Sequence, residues 1–360
     1  VLPDNERFDT IIVGAGLAGV CAALHLSQTR QVLVLEAEQP AAGASGAAAG
    51  LVNPLMSQKA KAAWRMNAAL HALHATLSIA HAEDLLSRNG ILRPATDARQ
   101  ADIFHEVASA RPANATWLPP ETVQERFADV VAPHGALLVR RGGAIAVPTF
   151  IEAMLTAAQQ QGARLATGAK VVDWGTNHDG VYVNVHSDTT TTRLHTRQLI
   201  LALGYGYDDH PALCTLNLHP IKGQTVEVKA PTNTLSIPLA GQGYIVPEGN
   251  SLIVGSSYER GFSDLRPSAK QTRLILEQAA TMLPALRNAP VLDATAGVRV
   301  TVPGTRLPMV GPLPGQDRIW IFTGLGSKGL LMAPLLAQQL TGYLDKPDSI
   351  PQEIRVRLAK

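Results

Sequence analysis

Phe8 to Val13 is a short apolar run, Leu17 to Leu26 carries apolar residues at helical spacing, and Gln31 to Leu35 is a second apolar run ending at Glu36. Short continuous runs suit buried strands and the longer periodic stretch a helix, so the chain opens strand, glycine turn, helix, strand. Residues 41–54, AAGASGAAAGLVNP, are small and glycine-rich, too flexible for a helix by propensity alone. From Lys59 to Gln124 the pattern is mostly helical and alanine-rich, and Pro148 to Gln161 predicts a helix starting at a proline. Three alternating segments follow, Arg164 to Trp174, Val181 to His186 and Thr192 to Leu203, and strand signals dominate from Leu216 to Ser257. Glu277 to Leu286 reads as helix, Ile319 to Phe322 as strand, and Leu330 to Leu344 as a last helix before a polar tail. Helices and strands mixed at both ends of a β-rich middle predict an α/β chain with a second, α+β domain inserted.

Composition narrows the class. With 46% hydrophobic and 17% charged residues the 360-residue chain is no disordered segment, and its length suits about two domains. A net charge of +2 argues against binding nucleic acid or a membrane surface through bulk charge. Cys21 and Cys214 stand far apart with no CxxC, so neither a disulfide framework nor a zinc site is expected. His71, His74 and His81 lack the acidic or further histidine partners a metal site needs, and Lys59, Lys61 and Arg65 read as a solvated face. Ile11 to Leu24, the longest apolar stretch, falls short of the ~18–20 residues of a membrane helix. It follows Asp4, Glu6 and Asp9 where a secretory signal carries basic residues, so a cytoplasmic protein without membrane insertion is expected.

Of the 30 glycines, two sets matter most. Gly14-Ala15-Gly16-Leu17-Ala18-Gly19 is G-x-G-x-x-G between a strand and a helix. In that pattern the first glycine permits a tight turn, the second lets backbone approach a pyrophosphate, and the third brings helix and strand close. Glu36 ends the next strand at the separation where a carboxylate binds a ribose hydroxyl, and no arginine beside it favours a 2′-phosphate. A dinucleotide is therefore expected here. Gly324-Leu325-Gly326-Ser327-Lys328-Gly329 repeats the pattern between another strand and helix, but too little chain remains to complete a second nucleotide unit. It presents a helix N-terminus carrying Lys328 to something partly anionic. FAD is long enough to touch both loops, and the N1–C2=O edge of its ring becomes negative on reduction.

GASGAAAGL (Gly43 to Leu51), HPIKGQ (His219 to Gln224), YIVP (Tyr244 to Pro247), AGVR (Ala296 to Arg299), LPMVG (Leu307 to Gly311) and GLGSKGLLMAP (Gly324 to Pro334) follow the first loop in order. Together they resemble FAD-dependent D-amino acid oxidases and glycine oxidases over nearly the whole chain. The resemblance implies an α/β FAD-binding domain of the glutathione-reductase type plus an α+β substrate domain with an antiparallel sheet. It assigns 1–80, 145–210 and 300–360 to the first and 81–144 and 211–299 to the second. It also implies that Leu17 and Ala18 lie at the pyrophosphate, Glu36 and Ala37 at the ribose, and Ala44 and Ser45 along the phosphates. Ala49, Gly50 and Leu51 would pass the flavin, Val171 would meet the adenine, and Leu325 to Leu331 (with Gly326, Ser327, Lys328, Gly329 and Leu330) would close over the pyrimidine end of the ring.

Within the same resemblance Arg299 is the residue that holds a substrate carboxylate, a task suited to a planar two-pronged guanidinium, and Tyr244 is an active-site tyrosine. Glycine oxidases carry a second arginine in the final loop, where this chain has Ser327 beside Lys328. There the chain is more similar to the oxidase domain of the bifunctional tRNA 5-methylaminomethyl-2-thiouridine enzyme. The expected activity is FAD-dependent oxidation of the C–N bond of a small amine or amino acid, with Arg299, Tyr244 and Lys328 as catalytic residues. Oxidation of a carboxymethylaminomethyl group on modified tRNA and non-catalytic FAD binding are the alternatives. Neither DNA nor a metal is expected, the balanced charge argues against tRNA, and a homo-oligomer stays open.

Overall fold

In the computed structural model, which describes residues 4–187, 190–231 and 235–359, four parallel pairings build the centre of the first sheet. Arg164–Ala166 lies beside Val32–Leu35, that strand beside Arg7–Val13, then come Thr190–Leu201 and Gln316–Thr323. Ile11, Ile12 and Val32–Leu35 are at most 1% exposed, as continuous apolar runs are when a parallel sheet is covered on both faces. Ile12, Val32 and Val34 share a core with helices Leu17–Leu26, Met66–Ile79, Val147–Gln160 and Gly329–Asp345. Ile11, Leu33 and Leu35 enter a second core with Val171, Val181, Val183 and Val185. Those valines belong to Lys170–Asn177 and Gly180–Ser187, which pair antiparallel and join the sheet through Thr190–Leu201. Residues 1–3 and 360, at the ends of the expected domain segments, lie outside the described residues.

The second sheet runs Val291–Thr301, His219–Lys229, Ser251–Gly255, Gly243–Glu248, Leu239–Gly241, Ile91–Pro94, Ala136–Val139, Ala115–Leu118. It is antiparallel except where Leu239 meets Leu92. One of its faces is covered by helix Ala269–Ala279, through Ile275 and Ala279 against Val226, Ile245 and Val254. The fold is thus the expected pairing of an α/β part with an α+β part.

Three local expectations are corrected. Helices Met66–Ile79, Ala98–Ala110 and Pro120–Arg126 occur within 59–124, but Ile91–Pro94 and Ala115–Leu118 there are strands. Four residues cannot display a period, and these two are made strands by Ala136–Val139, which pairs with both. The helix expected at Glu277–Leu286 runs Ala269–Ala279 instead, begun by the Ser268 side chain accepting from the Gln271 N–H at 3.2 Å and finished well before Pro284. The tail is less polar than its composition suggests, since Ile350 and Ile354 are buried. Among the described residues no helix is long and apolar enough to cross a membrane.

Candidate active site

The first glycine loop has the geometry its spacing predicts. Gly14 sits at φ +105°, and a Cβ on Gly19 would stand 1.8 Å from the Gly14 carbonyl oxygen, so the helix can lie this close to the strand only with a bare backbone there. Gly16 caps the helix in extended conformation without a side-chain bond, and the hydroxyl of Ser45 accepts from the Leu17 N–H at 3.1 Å. Ala44 and Ser45 are thereby brought to the helix start where Leu17, Ala18 and Gly19 begin the first turn. Glu36 Oε2 accepts from the Ala15 N–H at 2.7 Å and Oε1 from the Glu38 N–H at 3.0 Å. A carboxylate has about four acceptor positions, so capacity remains for ribose hydroxyls. Ala37 is exposed beside it, and the Ala169 N–H donates to the Glu36 carbonyl at 2.9 Å, carrying the segment that leads to buried Val171 to the same corner.

The second glycine loop meets the first. A Cβ on Gly329 would be 2.9 Å from Leu17 Cδ1, so the starts of the first and last helices stand against each other. The Gly326 N–H donates to the Val300 carbonyl at 2.9 Å and Leu325 bridges to Thr301, tying this loop to the strand that carries Arg299. Leu330 and Leu331 are buried and Ser327 is exposed. Lys328 donates to the Arg306 carbonyl, and burial together with nearby Arg306 holds its ammonium below the usual lysine range.

Arg299 and Tyr244 face each other on the second sheet. The guanidinium of Arg299 lies over Gly223 and the ring of Tyr244 over Gly255, each approaching so closely that a Cβ would be 2.4 Å away. Arg299 Nη1 donates to Ser256 Oγ at 3.2 Å and Nη2 to the Ser257 carbonyl at 3.0 Å. Burial pushes the Tyr244 phenol above the usual tyrosine range, against the opposing pull of Arg299, the Ser256 side chain and the Ala49 amide. The 44–51 loop bridges the two sheets here. Thr225 Oγ1 donates to the Ala47 carbonyl at 3.3 Å, a Cβ on Gly297 would touch Ala44 Cα at 2.9 Å, and Leu51 pairs with Ala144 just past Gly50.

One segment thus connects Ser45 at the start of the first helix to Ala49 at Tyr244. Ser256 and Ser257, which hold Arg299, were not singled out by the sequence, in which SLIVGSS counts only among the strand signals.

Residues 9–343 match the family model described as FAD dependent oxidoreductase, DAO. The chain belongs to this family. Glycine oxidase of Geobacillus kaustophilus (strain HTA426) is 26% identical over 370 residues, covering 96% of this chain and 95% of that protein. The tRNA 5-methylaminomethyl-2-thiouridine biosynthesis bifunctional protein MnmC of Polaromonas naphthalenivorans (strain CJ2) is 30% identical over 381 residues, covering 96% of this chain and 58% of that longer protein. Among solved structures, the glycine oxidase from Geobacillus kaustophilus superposes with a TM-score of 0.84 at 24% identity, covering 97% and 99% of the two chains. Iminodiacetate oxidase from Chelativorans sp. BNC1 gives 0.82 at 22%, covering 96% and 98%.

This DAO-family chain is therefore an FAD-dependent oxidoreductase, and its residues fit the cofactor. A helix start whose own N-cap, Gly16, makes no side-chain bond, a partly free carboxylate at the end of the neighbouring strand and a small-residue loop leading to the second sheet suit a long dinucleotide.

Proposed function

We propose that this oxidoreductase oxidises the C–N bond of an amino acid or an N-substituted glycine. The observation that carries the reading is Arg299, a guanidinium with two of its five donors engaged on Ser256 and Ser257, standing beside Tyr244 on the face of the second sheet that meets the 44–51 loop. Its remaining donors suit an α-carboxylate, held in a fixed orientation by two parallel hydrogen bonds. FAD, when bound, would supply the two-electron acceptor for a hydride leaving the substrate carbon attached to nitrogen.

The chain's own work is placement. Arg299 anchors the carboxylate, Tyr244 offers a neutral hydroxyl to the substrate, and small residues at 44–50 let backbone lie against a flat ring. Gly14, Gly16, Leu17, Ala18, Gly19, Ala44 and Ser45 would hold the phosphates, Glu36 and Ala37 the ribose, and Val171 the adenine. Ala49, Gly50 and Leu51 would pass the flavin, and Leu325 to Leu331 would present the last helix's start to the pyrimidine edge, with Lys328 close to it. The reading divides the chain into a FAD-binding part, 1–80, 145–210 and 300–360, and a substrate part, 81–144 and 211–299. A neutral amine loses hydride without a strong base, so none is assigned.

Anaerobic mixing of the FAD-loaded protein with glycine, sarcosine, proline and a set of D-amino acids tests the reading. Bleaching of the flavin band by at least one of them is the expected result, and no bleaching by any overturns it. A second reading, oxidation of a carboxymethylaminomethyl group on modified tRNA, draws support from the 30% identity to the tRNA-modifying relative. Bleaching by such a tRNA but by none of the small amines would favour it.

A further inference from the structure

The segment from Ser256 to Ser268 is built into the second sheet. The Lys222 N–H donates to the Glu259 carbonyl at 3.0 Å and the Glu259 N–H to the Lys222 carbonyl at 2.9 Å, an antiparallel bridge. Lys222, 5% exposed, extends Nζ to the Arg266 carbonyl at 2.7 Å and to Asp264 Oδ1 at 3.4 Å. The fully buried Gln224 accepts from the Ser268 N–H at 2.7 Å and donates to Thr272 Oγ1 at 2.7 Å. Glu259 Oε1 accepts from Ser257 Oγ at 2.9 Å. The two carboxylates of the segment are thus engaged by Ser257 and Lys222.

In an antiparallel bridge the two opposed side chains share one face and their chain neighbours point to the other. Lys222 and Glu259 share a face, so Tyr258 and Arg260 emerge on the opposite one, with Arg299. The Tyr258 ring, 58% exposed, has Arg299 Cζ 5.9 Å from its centre and Arg260 Cζ 5.8 Å from it. Neither arginine belongs to an ion pair among the described residues. Two guanidinium groups against one exposed ring, with the local acids turned away, repel each other and leave a field that a doubly anionic ligand would neutralise.

We propose that Arg260 and Tyr258 form a second anion subsite beside Arg299, so that the preferred substrate is an amine carrying two carboxylates, one for each guanidinium. This rests on the reading of Arg299 as the anchor of the α-carboxylate and adds a determinant for the far end of the substrate. Tyr258 acts as the wall between the two anions, and Arg260 selects for the second charge.

The test compares pairs that differ only in that charge, D-glutamate with D-glutamine and iminodiacetate with its monoamide. In the FAD-loaded wild type, kcat/KM for the reactive dicarboxylate exceeds that for its amide at least tenfold, and Arg260→Gln lowers this ratio at least tenfold. Calorimetric titration with glutarate and with butyrate reads the subsite without turnover: glutarate binds at least tenfold tighter, and Arg260→Gln removes the advantage. Turnover of charged and amide substrates at equal kcat/KM, or a ratio and a glutarate preference unmoved by Arg260→Gln, overturns the subsite and leaves the amine-oxidation reading standing. A glutarate preference that depends on Arg260, with no amine bleaching the flavin, overturns that reading and supports the subsite.

Discussion

Gly223 lies directly beneath Arg299: a Cβ on the glycine would stand 2.4 Å from Nη2 of the guanidinium. The strand pairing that sets Ile221 opposite Arg299 and Gly223 opposite Gly297 makes a bare floor on which the guanidinium rests while Ser256 and Ser257 hold two of its nitrogens. Gly223→Ala intrudes on the far end of a flexible side chain, so the guanidinium moves and the sheet survives. We expect a raised KM for carboxylate substrates with an unaltered flavin spectrum. Arg299→Ala raises KM at least tenfold, and Arg299→Lys does not restore it, because an ammonium cannot present two parallel donors. Steady-state kinetics on the three variants checks this; an unchanged KM in Arg299→Ala removes the anchor.

Tyr244 keeps its proton throughout the neutral and mildly alkaline range, since burial raises its phenol from an already high value. Tyr244→Phe therefore removes one hydrogen-bonding group and no titration. A neutral hydrogen bond contributes about 1 kcal/mol, so kcat/KM falls roughly fivefold and any basic limb of the pH profile below pH ~10 stays where it was. A limb that vanishes in Tyr244→Phe contradicts the assignment.

Much of this arrangement was legible beforehand, and the exceptions share a cause. Arg7–Val13 and Val32–Leu35 announce themselves because both of their faces are buried, and the two glycine loops because strand and helix flank each. Ile91–Pro94 and Ala115–Leu118 did not, because four residues acquire a strand identity only from a neighbour far along the chain. Ser256, Ser257 and Tyr258 were hidden for the same reason: their meaning depends on lying across from Gln224 and Lys222, a register that local composition does not encode. Lys328 was recognisable by position, but its bond to the Arg306 carbonyl depends on a left-handed residue 22 positions earlier.

The first loop makes a sharper test than the second. A methyl on Gly19 would meet the backbone oxygen of Gly14 at 1.8 Å, which no rotamer change relieves, whereas a methyl on Gly329 meets only the end of the Leu17 side chain at 2.9 Å. Gly19→Ala should cost about 1–3 kcal/mol or more, as overpacking against a fixed partner does, and release FAD on gel filtration. Gly329→Ala should stay yellow. Both variants with wild-type melting temperature and full flavin content would show that helix and strand need not approach this closely.

His25 links the first helix to the second, its Nε2 3.1 Å from Thr76 Oγ1 and only 9% of its surface exposed. Burial pulls its pKa down to about 4 from 6.5. The unfolded chain therefore binds a proton that the folded one refuses across that interval, and the stability linked to neutral His25 is complete above pH 6.5 and lost as pH falls towards 4. At about 1.4 kcal/mol per pKa unit, the full loss is roughly 3 kcal/mol. Urea unfolding at several pH values should show wild type weakening through this window more steeply than His25→Gln, which keeps a hydrogen-bonding group for Thr76 but does not titrate. The variant is less stable than wild type near pH 7, where the imidazole is neutral and fits its site, and the difference narrows towards pH 4. Parallel pH dependences for the two proteins would mean that His25 takes up its proton as readily in the folded chain as in the unfolded one, so that its burial carries no pH-linked stability.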